Sequence, residues 1–155
     1  MREKAPELGV EKIGIMGSSA GGHLASTAAT HFDSETRPDF QILFYPVVTK
    51  DKKLTHGGSR DNLLGKNPSA ELVEKYSNEK QVTPQTPPAF IMHSSDDKVV
   101  PVENSVNYYL ALVKNNVPAS LHIYPIGGHG WGYNDSFIYK RQWTDELEKW
   151  LRELF

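Results

Sequence analysis

Apolar residues along the chain gather into four short runs: Ile13 to Met16, Asp39 to Tyr45 (DFQILFY), Ala89 to Ser94 (AFIMHS) and Ser120 to Tyr124 (SLHIY). Each is of strand length, and none alternates cleanly with polar residues. That pattern fits strands buried on both faces of a parallel sheet. The first strand is expected at about Lys12 to Met16; Pro46 and Pro125 close the second and fourth. Between the runs the spacing turns helical. Ala20 to His31 carries Leu24, Ala25, Ala28 and Ala29 as a narrow face of small residues. A helix beginning at Pro101 repeats Val102, Val106, Tyr109, Leu110 and Val113, and Asn115-Asn116 ends it. The last helix, about Ser136 to Leu154, shows Trp143, Leu147, Trp150, Leu151 and Leu154 as a stripe. Arg2 to Gly9 reads as the last turns of a helix that stops at Gly9.

One stretch departs from this rhythm. Val47 to Pro88 is polar and broken by glycine and proline, with one short helix expected at Ser69 to Tyr76, capped near Asn67 or Ser69. A segment of this kind inside a compact domain is either a lid or binding segment, or a tolerated surface insertion. Strands alternating with helices give an α/β fold: a mostly parallel sheet flanked by helices, in one domain over residues 1–155 with the lid-like insertion at 47–88. In such a fold the reactive groups collect at the carboxyl ends of the strands.

Composition narrows the function. The chain has 155 residues, a net charge of −2 and no cysteine. The charge offers no footprint for nucleic acid or an anionic membrane, and the missing thiols exclude disulfides and thiolate zinc sites. No run approaches membrane-spanning length and Met1-Arg2-Glu3-Lys4 has no signal-peptide core, so the chain as it stands is expected in the cytoplasm.

The chemistry centres on Gly17-Ser18-Ser19-Ala20-Gly21, a G-x-S-x-G sequence set between a strand and a helix. That context makes it a nucleophile elbow, a sharp turn with a serine at its apex. Side chains at Gly17 and Gly21 are expected to clash in so tight a turn. The spacing selects Ser19 over its neighbour Ser18. A serine needs a base, and the base needs an acid to fix its tautomer; in elbow hydrolases the order is Ser, Asp or Glu, His. Two loops past strand ends supply that order. His93-Ser94-Ser95-Asp96-Asp97-Lys98-Val99-Val100-Pro101 offers two aspartates, and Gly127-Gly128-His129-Gly130-Trp131-Gly132 offers a histidine among four glycines. His23, His31, His56 and His122 lie in helical, insertion or strand positions and read as structural or solvent-facing. No spacing of His, Asp and Glu resembles a metal site, and no phosphate or dinucleotide fingerprint is present, so neither metal nor cofactor is expected.

GIMGSSAGGHLAS, TPPAFIMHSSDDKVVPVENS and HIYPIGGHGWG together resemble the α/β-hydrolase esterases, in particular the bacterial acetyl-xylan esterase and lipase/esterase-like group. The resemblance covers nearly the whole chain, including GSRDNLLG and ELVEKYS of the insertion. It implies a serine esterase of short acyl, especially acetyl, esters of carbohydrate. Ser19 is then the nucleophile and His129 the general base and acid. Asp97 is the acid partner, four residues after the histidine of the H-x-x-x-D-x-x-V-P pattern, with Asp96 as its alternative. The Ala20 N–H is an oxyanion donor. Trp131 is a pocket wall or a core residue. The family's sheet is larger, and this chain corresponds to its C-terminal portion; the early loop bearing the HGG-type oxyanion motif has no counterpart, since His56-Gly57-Gly58 follows the second strand. With its upstream neighbours missing, the first strand should present an open edge, and a homodimer or higher oligomer through that edge is expected. A prolyl-oligopeptidase-type peptidase and a non-catalytic oligomerising fragment are the rival readings.

Overall fold

In the computed structural model, which describes residues 4–155, the elements run β1 (Gly14–Ser18), α1 (Ala20–Thr30), β2 (Phe40–Phe44), α2 (Gly57–Leu64), α3 (Ala70–Lys75), a 3-10 turn (Asn78–Lys80), β3 (Ala89–Ser94), α4 (Glu103–Lys114), β4 (Ala119–Tyr124) and α5 (Lys140–Leu154). The four strands are all parallel and lie in the order β1-β2-β3-β4. Residues 2 and 3 of the expected N-terminal helix lie outside the described residues. Its remainder forms a compact turn, with Gly9 donating to the Pro6 carbonyl and Val10 to that of Ala5. Pro6, lacking an N–H, cannot continue an α-helical ladder there.

The absence of alternation in the strands has a direct structural cause. Ile42, Phe44, Phe90 and Met92 point to one face, where Trp143 of α5 packs against them. Leu43, Ala89 and Ile91 point to the other, against Ala25 of α1 and Tyr108 and Leu112 of α4. Two of the three crossovers, β1–α1–β2 and β3–α4–β4, lie on that second face, as connections of one hand advancing the same way across a sheet require. Gln41 is fully buried in the layer but satisfied: its amide donates to the Pro87 carbonyl and it accepts from the Tyr108 hydroxyl.

Two expected helix faces are corrected. On α4 the buried residues are Asn104, Ser105, Tyr108 and Leu112, while Leu110 and Val113 are exposed. Polar groups win the inner face because they complete the backbone of the preceding segment. Asn104 accepts from the N–H groups of Val48 and Thr49 and donates to the carbonyls of Leu54 and Pro101. On α1, Ala25 and Ala29 are buried as expected, but Leu24 is 70% exposed.

The 47–88 stretch is tied into the core at both ends. Val47, Val48, Thr49 and Lys50 are buried. Asn78 donates to the His23 carbonyl and to the hydroxyl of Ser26 on α1, and Ser77 accepts from the Lys50 N–H. Between these anchors α3 forms as expected, with Ser69 accepting from the Leu72 N–H as its cap. The helix α2 was not legible in the sequence; it begins on two glycines and has one buried residue, Leu64. Among the described residues no helix is long and apolar enough to cross a membrane.

Candidate active site

Ser19 sits between the end of β1 and the start of α1 with φ 52° and ψ −123°. That is a left-handed setting a non-glycine residue avoids, at a cost of about 1–3 kcal/mol. The surroundings hold it there. The Ser19 N–H donates to Phe44 O at 3.0 Å, and its carbonyl accepts from the N–H groups of Gly22 and Val47, each at 3.0 Å. The glycines share the burden unequally. A Cβ at Gly17 would overlap the Gly21 carbonyl, and one at Gly22 would meet Pro46, whereas nothing lies within 4 Å of a Cβ at Gly21. The expected clash at Gly21 is therefore replaced by one at Gly22, where the helix start crosses the chain after β2.

His129 lies in the loop after β4, between Gly128 (φ 61°) and Gly130 (φ 85°), positions where a side chain would strain the backbone. Its Nε2 is 2.8 Å from Ser19 Oγ and its Nδ1 is 2.6 Å from Asp97 Oδ2. The structure thus brings Ser19, His129 and Asp97 into one hydrogen-bonded chain from three separate strand ends. Asp97 is the aspartate that reaches the imidazole. Asp96 accepts from the Gly128 N–H at 2.8 Å and so braces the histidine loop instead. Ser18 ends β1 and its hydroxyl interacts with the Tyr45 phenol. The N–H of Ala20, the first residue of α1, has no acceptor among the described residues. That N–H lies at the positive end of the helix beside Ser19, where an oxyanion would gather charge.

Trp131 takes the core place of its two expected roles. It is buried, stacks on Phe137 with ring centres 4.1 Å apart, and donates from Nε1 to Ser94 Oγ. It meets the site through Tyr45, whose ring lies 5.0 Å from Trp131 and 4.7 Å from His129. The His56-Gly57-Gly58 sequence also has a local explanation: the His56 ring accepts from the Ser59 N–H and caps α2.

Two further contributors were given no role from the sequence, although His93 opens the H-x-x-x-D-x-x-V-P pattern. Tyr45, at φ 36°, forms the wall behind the imidazole, and burial raises its phenol above the usual range. His93, fully buried on β3, lies with Nε2 3.0 Å from the Val100 carbonyl and 3.3 Å from Asp97 Oδ2. A carbonyl can only accept, so Nε2 carries the proton and Nδ1 accepts from the Ser105 hydroxyl at 2.7 Å. Burial lowers the His93 pKa and favours this neutral form. Among the described residues no group of three or more His, Asp or Glu side chains is placed to hold a metal ion.

A model of the prolyl oligopeptidase family matches residues 7–155. The chain belongs to that family. It is 42% identical over 146 residues to an acetylxylan esterase of Xylanibacter ruminicola, covering 92% of this chain and 30% of that protein. It is 40% identical over 152 residues to endo-1,4-beta-xylanase B of Butyrivibrio fibrisolvens, covering 89% of this chain and 24% of that one. A solved acetyl ester-xyloside bifunctional hydrolase from Caldicellulosiruptor lactoaceticus superposes with a TM-score of 0.94 at 42% identity, over 99% of this chain and 61% of its own. The fold is accordingly part of an α/β hydrolase, and the chain spans less than a third of the curated relatives it matches.

Proposed function

We propose that this protein is a serine ester hydrolase that removes short acyl groups, acetyl foremost, from carbohydrate. The observation that carries this reading is the single imidazole of His129 standing between Ser19 Oγ at 2.8 Å and Asp97 Oδ2 at 2.6 Å. In the proposed reaction Nε2 takes the hydroxyl proton as Ser19 Oγ bonds to the ester carbonyl carbon. The resulting oxyanion lies at the Ala20 N–H. Collapse breaks the bond to the alcohol oxygen, which leaves with the proton held on Nε2. Water then repeats the sequence and releases the carboxylic acid, restoring Ser19. Asp97 keeps Nδ1 protonated throughout and stabilises the imidazolium. Removing one oxyanion donor from such a site typically costs about 10²–10³ in rate, so a second donor beside that of Ala20 has strong leverage on turnover.

The relatives whose names include acetylxylan esterase and acetyl ester-xyloside hydrolase support an acetylated sugar as substrate. The family's name favours a second reading, cleavage of peptides after proline. Hydrolysis of 4-nitrophenyl acetate and of a prolyl 4-nitroanilide, measured side by side, separates the two. The ester is expected to turn over, and Ser19→Ala to lower its rate by at least about 10³-fold. Turnover of the anilide alone would favour the peptidase, and an ester rate that Ser19→Ala leaves unchanged would remove Ser19 from the reaction.

A further inference from the structure

An open cleft of about 420 Å³ runs between α1 and the 47–88 segment. Ala20 lines it, so the cleft adjoins the residue that follows Ser19. Its size lies within the range of pockets that enclose whole small ligands, about 300–1,000 Å³, and far exceeds what a two-carbon acetyl group fills. If the ester is attacked at Ser19, it is the alcohol half of the substrate that has the bulk to occupy this space.

The lining is chemically mixed in a way that fits a sugar ring. Leu24 and Leu63, 70% and 49% exposed, together with the Tyr76 side chain give apolar surface for the C–H faces of a pyranose. Asn62 offers an amide. Lys50 also lines the cleft, although the residue as a whole is 1% exposed. Among the described residues no carboxylate pairs with its ammonium within ion-pair distance. A buried cation is costly unless something supplies oxygen acceptors, and the nearby Glu79 carboxylate offsets only part of that cost for Lys50. Burial, and then the nearby Arg60, bring the Lys50 pKa down to about 8, which leaves it mainly protonated at neutral pH. His23, within the same cleft, donates from Nε2 to the Tyr76 carbonyl at 2.8 Å and so fixes the aromatic wall to α1.

We infer that this cleft is the subsite for the sugar unit that bears the acyl group, with Lys50 donating hydrogen bonds to its hydroxyl or ring oxygens and Tyr76 and Leu63 lying against its ring. The inference rests on the ester-hydrolase reading for its placement beside Ser19, but the sugar contact itself does not require turnover. Lys50 and Asn62 are then specificity-determining residues: they select the alcohol and leave the acyl transfer to the triad.

The test is isothermal titration of the intact protein with unacetylated xylotriose, which binds without reacting. The expected result is saturable binding, weakened at least fivefold by Lys50→Met and by Asn62→Ala. The second variant lies on the exposed surface of α2 and guards against a folding defect in the first. Binding lost in both variants from a protein that fails to hydrolyse 4-nitrophenyl acetate would support the subsite while removing the esterase reading. No binding of xylotriose to the unaltered protein, or equal binding by all three, overturns the subsite.

Discussion

The Asp97 carboxylate holds four groups in place. One oxygen accepts from the N–H groups of Val99 and Val100 at 2.8 and 2.9 Å; the other faces His129 at 2.6 Å and His93 at 3.3 Å. The backbone pair fixes the carboxylate's plane, while His93 steadies the oxygen that orients the imidazole. His93 is therefore a positioning residue. His93→Ala is expected to lower kcat on 4-nitrophenyl acetate about ten- to a hundredfold with little change in KM, by analogy with other groups that hold a reacting residue in place. His93→Gln, which can restore a donor near Nε2, should recover most of it and return the acid limb of the pH profile; a purely packing role would not distinguish the two variants in this way. The elbow gives a matching prediction for stability. Gly17→Ala should cost about 1–3 kcal/mol, because its methyl meets fixed backbone. Gly21→Ala should be neutral or stabilising by up to about 1 kcal/mol, because its methyl meets open space. Urea unfolding of the two variants reads the contrast.

At the scale of elements, what could be read from the chain divides along a physical line. The strands were legible because their apolar runs are short, bounded by proline or glycine, and buried on both faces. Ala89–Ser94 agrees with the expected bounds residue for residue. The triad was legible because an elbow and two strand-end loops are local patterns in a fixed order. The inner face of α4 was not, because Asn104 and Ser105 are buried for partners more than ten residues away in the sequence, His93 for Ser105 and Val48 for Asn104. Tyr45 was hidden for the same reason: its importance comes from the loop that folds over it. The burial of His23 on α1 has a consequence for acid stability, which its bond to the Tyr76 carbonyl only partly opposes. Burial, followed by the Lys50 charge, lowers the His23 pKa to about 4 from 6.5. The unfolded chain then binds the proton more readily. The contribution is fully present above pH 6.5 and is lost as pH falls toward 4, by an amount on the order of 3 kcal/mol. The buried, neutral His93 acts in the same direction. Urea midpoints measured from pH 7 to pH 4 should fall, and His23→Gln should flatten the decline.

At the scale of the whole molecule, the sheet is open, with β1 at one edge and β4 at the other. Among the described residues β1 pairs with β2 and with no other strand, and Met16 on it is 65% exposed. Unpaired parallel edges with apolar flanks are seldom left open. Two copies of this chain are proposed to cover each other there, and sedimentation at micromolar concentration should show a dimer or larger species, which Met16→Lys should shift to monomer. A monomer at all concentrations would mean that this edge is tolerated in water.

The proposed reaction requires that His129 activate Ser19. The most direct measurement is reaction of the protein with a fluorophosphonate, followed by mass spectrometry of its peptides. The predicted result is a phosphonyl adduct on Ser19 that disappears in His129→Ala. An unmodified Ser19, or labelling that persists at the same rate without the imidazole, would contradict the hydrolytic reading of this site.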